Sequence, residues 1–130
     1  MQPTEIRLSP DKRTLTVHWS ESQAELPAEY LRVESPSAEV KGHGPSDARL
    51  VGGKRNITIK GLEPVGAYAV KIIFSDGHET GLYTWEYLRE LANEQQNRWN
   101  TYLADLERAG LNRETAATVA RGVASRPKLA

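Results

Sequence analysis

A chain of 130 residues suits one domain with a single core, burying roughly two-thirds of its unfolded surface. Its 17 basic and 17 acidic side chains cancel, which leaves no global field to draw in nucleic acid or an anionic membrane. The absence of cysteine excludes disulfides, thiolate catalysis and thiolate zinc sites. The start, MQPTEIRLSP, has neither a basic n-region nor an apolar h-region, and no apolar run approaches membrane-spanning length. A cytoplasmic protein with no membrane association is therefore expected.

In chain order, residues 5–8 and 14–19 alternate with period two, and Leu15, Val17 and Trp19 share one face. Ser9-Pro10-Asp11-Lys12 supplies turn residues between them, so a hairpin is expected. Residues 27–34 read as one or two helical turns, opened by Pro27 and stopped by Pro36. Residues 35–54, with four glycines and two prolines, form the longest irregular stretch. Alternation returns over residues 56–62, where Ile57, Ile59 and Leu62 define a face, and residues 63–66 turn the chain.

The central unit is PVGAYAVKIIFSDGHETGLYTWEYLREL, residues 64–91. It reads as a hairpin turning at Asp76-Gly77, with Gly77 in the position that needs positive φ. A two-residue turn pairs Ser75 with His78 and Val70 with Tyr83, and sends His78 to the face of Ile73 and Thr80. Thr84 is a natural N-cap for a helix whose apolar residues recur from Leu88 to Leu106, with a break allowed near Asn93. Glu94 and Arg98 form an i,i+4 ion pair, and Gly110 closes the helix. Asn112 then caps a second expected helix with a stripe of Ala116, Val119, Ala120 and Val123. Residues 112–130 are mildly basic, carrying Arg113, Arg121, Arg126 and Lys128 against Glu114.

No catalytic motif emerges. A P-loop would need glycine at Ala48 and Ser or Thr at Arg55. Gly44-Pro45-Ser46-Asp47-Ala48 lacks the last glycine of a nucleophile elbow. None of His18, His43 and His78 is followed two residues later by a carboxylate, so half of a non-haem iron triad is missing. Trp85, Tyr87, Trp99 and Tyr102 lie at helical spacing, which favours core packing over base stacking and disfavours a nucleic-acid surface. One constellation carries metal chemistry: His78 at the hairpin tip, with His43 and Glu39 on the loop, offers two imidazoles and a carboxylate to a divalent ion.

A run of short motifs resembles the gamma-butyrobetaine hydroxylase-like N-terminal domain family. It comprises Leu31-Arg32, residues 35–40 (SPSAEV), Gly42-His43-Gly44, residues 63–66 (EPVG), Tyr68-Ala69-Val70, residues 74–78 (FSDGH), Thr80-Gly81 and residues 85–88 (WEYL). The resemblance covers about residues 3–91. It implies a small, mostly β domain that occurs alone in bacteria with unknown function, ahead of 2-oxoglutarate oxygenases that make carnitine, and beside iron–sulfur assembly ATPases. It also implies a structural zinc held by a Cys-x-Cys-x-x-Cys cluster and a distant histidine. Those cysteine positions fall on Ser35, Ser37 and Val40, and the histidine falls on His78. Serine hydroxyls are poor zinc ligands and valine is none, so the family's zinc site is expected to be absent.

The reading is therefore an α+β fold. It has a small, largely antiparallel sheet with one packed helix over residues 1–92 and a helical extension over residues 93–130. A non-enzymatic protein-interaction module is expected, with a protein partner and no cofactor, and homo-oligomerisation is left open. The alternative is a metal-binding accessory to an oxygenase or iron–sulfur system, holding zinc or iron on His78, His43 and Glu39.

Overall fold

The computed structural model of the chain describes residues 2–41 and 48–121. Strands β1 (Glu5–Leu8), β2 (Thr14–His18) and β3 (Gln23–Pro27) form an antiparallel sheet in that order. Leu15, Val17 and Leu26 are fully buried on its inner face, as the alternation of β2 requires. Helix α1 (Ala28–Val33) follows directly, with Pro27 at its N-cap and all six residues buried.

Short elements lie inside the stretch expected to be irregular: α2 (Ala38–Lys41) and β4 (Arg49–Gly52). Strands β5 (Ile59–Val65), β6 (Ala69–Phe74) and β7 (Leu82–Thr84) make a second antiparallel sheet. The single sheet expected from the alternating segments is thus divided, and the Ile59 N–H to Lys12 carbonyl bond, 2.8 Å, links the two. β5 runs on through Glu63 and Pro64, so the chain turns at residues 65–68 rather than 63–66. A register shift between Ile59 and Gly61 explains how Ile57, Ile59 and Leu62 all approach the core.

Thr84 caps α3 (Trp85–Asn93), its Oγ1 accepting from the Tyr87 N–H at 3.1 Å. The helix breaks at Glu94, where φ is −107°, and resumes as α4 (Gln95–Ala109), closed by Gly110. After α4 the expected second helix is replaced by strand β8 (Ala117–Ala120), antiparallel to β4 with Leu50 opposite Val119. Asn112 does cap, but its Oδ1 accepts from the N–H groups of Glu114 and Thr115 in a local bend. The physical reason is area. Ala116, Val119 and Ala120 offer a helix too little apolar surface, whereas β-branched Thr118 and Val119 fit a strand against buried β4. Val123, the fourth member of that stripe, lies outside the described residues.

The main core lies between the two larger sheets and α1 and α3, with Leu31, Ile72, Phe74, Leu88 and Leu91 fully buried. A smaller cluster of Val33, Leu50, Tyr102 and Leu106 lies between α1, β4 and α4, with Val119 packed on it. Three buried tyrosines fasten the elements together. Tyr30 Oη donates to the Leu91 carbonyl (2.7 Å), Tyr83 Oη to Leu31 (2.5 Å) and Tyr102 Oη to Val51 (2.6 Å).

Candidate functional site

The β6–β7 connection sets the position of His78. The Gly77 N–H donates to the Phe74 carbonyl and the Phe74 N–H donates to the His78 carbonyl. Gly77 has φ +89°. This is a three-residue hairpin loop with a left-handed last residue. It corrects the expected two-residue turn: His78, not Glu79, faces Phe74 at the tip. The register recovers farther down, where Val70 pairs with Tyr83 as the alternation requires. Because one residue of slip reverses a side chain's face, His78 turns inward instead of toward Ile73. The residue is 8% exposed, and its ring packs against Phe74 at 6.2 Å between centroids.

His78 Nε2 lies 2.9 Å from Ser35 Oγ, just past α1, and Ser35 has no exposed surface. The same Oγ accepts from the Ser37 N–H at 3.2 Å. Ser37 Oγ shares a 2.7 Å hydrogen bond with Thr80 Oγ1. Gly81 makes this approach feasible, since a Cβ there would stand 2.5 Å from Ser35 Oγ. The segment after α1 and the β6–β7 connection are therefore laced together by short hydroxyl and imidazole contacts.

Asp76 supports the loop. Its Oδ1 accepts from the His78 N–H (3.0 Å), and its Oδ2 accepts from Arg32 Nε and Lys54 Nζ, each at 2.8 Å. Burial alone would raise the carboxyl. The bonds from Lys54, the His78 N–H and Arg32 outweigh it and bring the pKa down to about 2. Arg32 Nη1 is buried without a hydrogen-bond partner.

Of the residues expected to hold a metal, His78 is placed as above. Glu39 belongs to α2, but its side chain and the whole of His43 lie outside the described residues. Among the described residues no group of three histidine or carboxylate side chains could hold a metal ion. Ser35, Ser37 and Val40, the positions that the resemblance aligns with zinc cysteines, all lie at this junction. Val40 is 5% exposed.

A second polar assembly joins α1, α3, α4 and β8. The Glu34 carboxylate, nearly buried, takes Arg98 Nη1 at 2.7 Å and Arg121 Nη1 at 3.4 Å. Arg121 Nε also reaches buried Asp105 at 3.0 Å, and Arg98 binds Glu90 and Glu94. Arg113 grips buried Glu29 with two bonds, of 2.8 and 2.5 Å. Only the Glu94–Arg98 member had a local signal, its i,i+4 spacing; the bonds to Glu29 and Glu34 join residues 64 to 87 positions apart.

The family model described as gamma-butyrobetaine hydroxylase-like, N-terminal, matches residues 6–89. The chain belongs to this family. No curated protein matches the chain. Two proteins solved in solution by NMR are similar to it. One is 49% identical with a TM-score of 0.77, over 87% of this chain and 90% of the other. The second is 44% identical with a TM-score of 0.75, over 89% of this chain and 87% of the other. A crystal structure of a protein of unknown function from Acidithiobacillus ferrooxidans, of the DUF971 family, is 42% identical with a TM-score of 0.58. That match covers 70% of this chain and 92% of the other. The gamma-butyrobetaine hydroxylase-like segment therefore spans the whole polar junction from Arg32 to Gly81.

Proposed function

We propose that this gamma-butyrobetaine hydroxylase-like domain is a non-catalytic docking module that acts through a protein partner. The observation that carries the reading is the closure of the Ser35–His78 pair. A serine within 2.9 Å of an imidazole has the composition of a nucleophile and its base. Such a nucleophile must be reached by its substrate, and Ser35 has no exposed surface. Its Oγ is engaged by His78 and by the Ser37 N–H, against the β6–β7 connection that approaches closely at Gly81. The pair reads as a fastening between the α1 exit and the central hairpin rather than as a reactive centre.

Photo-crosslinking in cells tests the reading. Photoreactive residues are placed singly at Leu103, 37% exposed on α4, and at Tyr68, 54% exposed beside the β5–β6 turn. A discrete protein adduct from one of these faces, unchanged by Ser35→Ala, is expected. Absence of an adduct from both, or a catalytic turnover abolished by Ser35→Ala, overturns it.

A second reading rests on a separate contact. The Ser37 carbonyl accepts from the Val40 and Lys41 N–H groups, while Ser37 Oγ touches Thr80, so α2 begins against the β6–β7 connection that carries His78. This favours a metal-binding accessory role in which Glu39 and His43 join His78. The role predicts stoichiometric zinc or iron after native purification, lost on His78→Ala. Metal-free protein whose melting does not respond to added zinc or iron removes it.

A further inference from the structure

We infer that residues 111–121 form a detachable strap, which opens from β4 while the rest of the fold stays intact. Its strand β8 is only partly buried, whereas Leu50 and Val51 of its partner strand β4 are 0% and 6% exposed. Val119 and Leu111 are its only apolar members packed on the small core. The strap is instead clipped at both ends by arginines. Arg113 holds the Glu29 carboxylate, whose side chain is 7% exposed, and its guanidinium lies 5.2 Å from the Trp99 ring centroid. Arg121 holds Asp105 and Glu34, whose side chains are 3% and 8% exposed, and its N–H donates to the Ala48 carbonyl.

This construction makes the closed state conditional on charge. The Arg113 clip satisfies a carboxylate that the strap itself helps to cover, so removing this arginine leaves the buried Glu29 charge unpaired, whereas Glu34 and Asp105 would keep Arg98 and Arg108 if Arg121 were removed. Opening the strap returns that carboxylate to water, whereas hydrophobic elements gain nothing by opening. Segments with few apolar contacts open at lower cost than the core. Release uncovers the backbone edge of β4 together with the acidic sites of Glu29, Glu34 and Asp105, a strand-accepting face that is otherwise filled from within the chain.

Hydrogen exchange read by mass spectrometry on the full chain decides the point. In the wild-type protein, amides of residues 117–120 are expected to be protected at least about tenfold less than those of β6. Arg113→Gln should speed exchange of residues 117–120 about tenfold or more and leave β6 within about twofold. The double variant Glu29→Gln, Arg113→Gln replaces the ion pair by two amides and should restore most of the protection. Exchange of β8 and β6 in step in the wild type overturns the inference. So does an Arg113→Gln chain that accelerates both equally or fails to fold, because a strap free to open would have relieved Glu29.

Discussion

Replacing Gly81 by alanine is the sharpest steric probe of the His78 junction. The new Cβ would lie 2.5 Å from Ser35 Oγ, 3.1 Å from Pro36 Cδ and 3.4 Å from Tyr83 Cε1. Ser35 cannot simply retreat, because it is fully buried and its Oγ is held by His78 at 2.9 Å and by the Ser37 N–H at 3.2 Å. Overpacking of this kind costs about 1–3 kcal/mol. An unfolding entropy of about 2.1 cal/mol/K per residue then lowers the Tm of a 130-residue chain by about 7 °C for a cost of about 2 kcal/mol. Gly61→Ala is the control. Its Cβ would meet only Ile73 Cδ1, at an ordinary 3.6 Å, and it should stay within about 0.5 kcal/mol of wild type. Ser35→Ala removes the obstructing oxygen, so the Gly81→Ala, Ser35→Ala double variant should lose less than the sum of the singles, by about 1 kcal/mol. Urea and thermal melts read all four chains. Equal stabilities for the two glycine variants, or strict additivity in the cycle, would refute the close approach of Gly81 to Ser35.

Other predictions follow from the charges and hydroxyls of the core. Asp76 has a folded pKa depressed from 3.8 to about 2, so its contribution is present above about pH 4 and is lost as pH falls through 2. Asp76→Asn should cost about 2 kcal/mol near neutral pH, with the gap to wild type closing in urea titrations between pH 4 and pH 2; a gap constant down to pH 2 contradicts this. Burial raises the folded-state pKa of Tyr30, Tyr83, Tyr87 and Tyr102 above 10.0. Stability is therefore lost as pH rises beyond about 10. The tyrosinate absorbance of these four should appear together with unfolding, and its appearance while near-ultraviolet dichroism stays native would be the opposing result. Thr84→Ala removes the acceptor for the Tyr87 N–H and should cost about 1 kcal/mol, read by thermal melting against the surface control Thr118→Ala.

What was legible in the sequence is what local rules govern. Alternation placed Leu15, Val17, Val70 and Tyr83 correctly, because a half-buried strand fixes side-chain direction every second residue. Thr84 and Gly110 marked helix ends through capping chemistry that acts within one turn. Strands β3, β4 and β8 were not legible. QAELP shows little alternation, RLVG is four residues in a glycine-rich run, and ATVA at helical spacing reads equally as a helix. β4 and β8 are strands because they pair with each other across most of the chain, and β3 because it folds back on neighbouring β2. The junction itself was half legible. His78 stood out at the hairpin tip, yet the loop length that turns it inward depends on one extra residue, and its contact with Ser35 spans 43 positions. Arg113 and Arg121 read as a solvated basic tail, although both reach carboxylates that the fold buries.

Chemical accessibility of Ser35 in the native protein tests the docking account most directly. The folded chain is incubated with a small serine-directed phosphonylating reagent and analysed by peptide mass spectrometry. The account predicts no adduct on Ser35 until the protein is denatured, because the hydroxyl is buried and bound to His78 and to the Ser37 N–H. Stoichiometric labelling of Ser35 in the folded protein, lost on His78→Gln, would contradict it and identify the pair as a reactive centre.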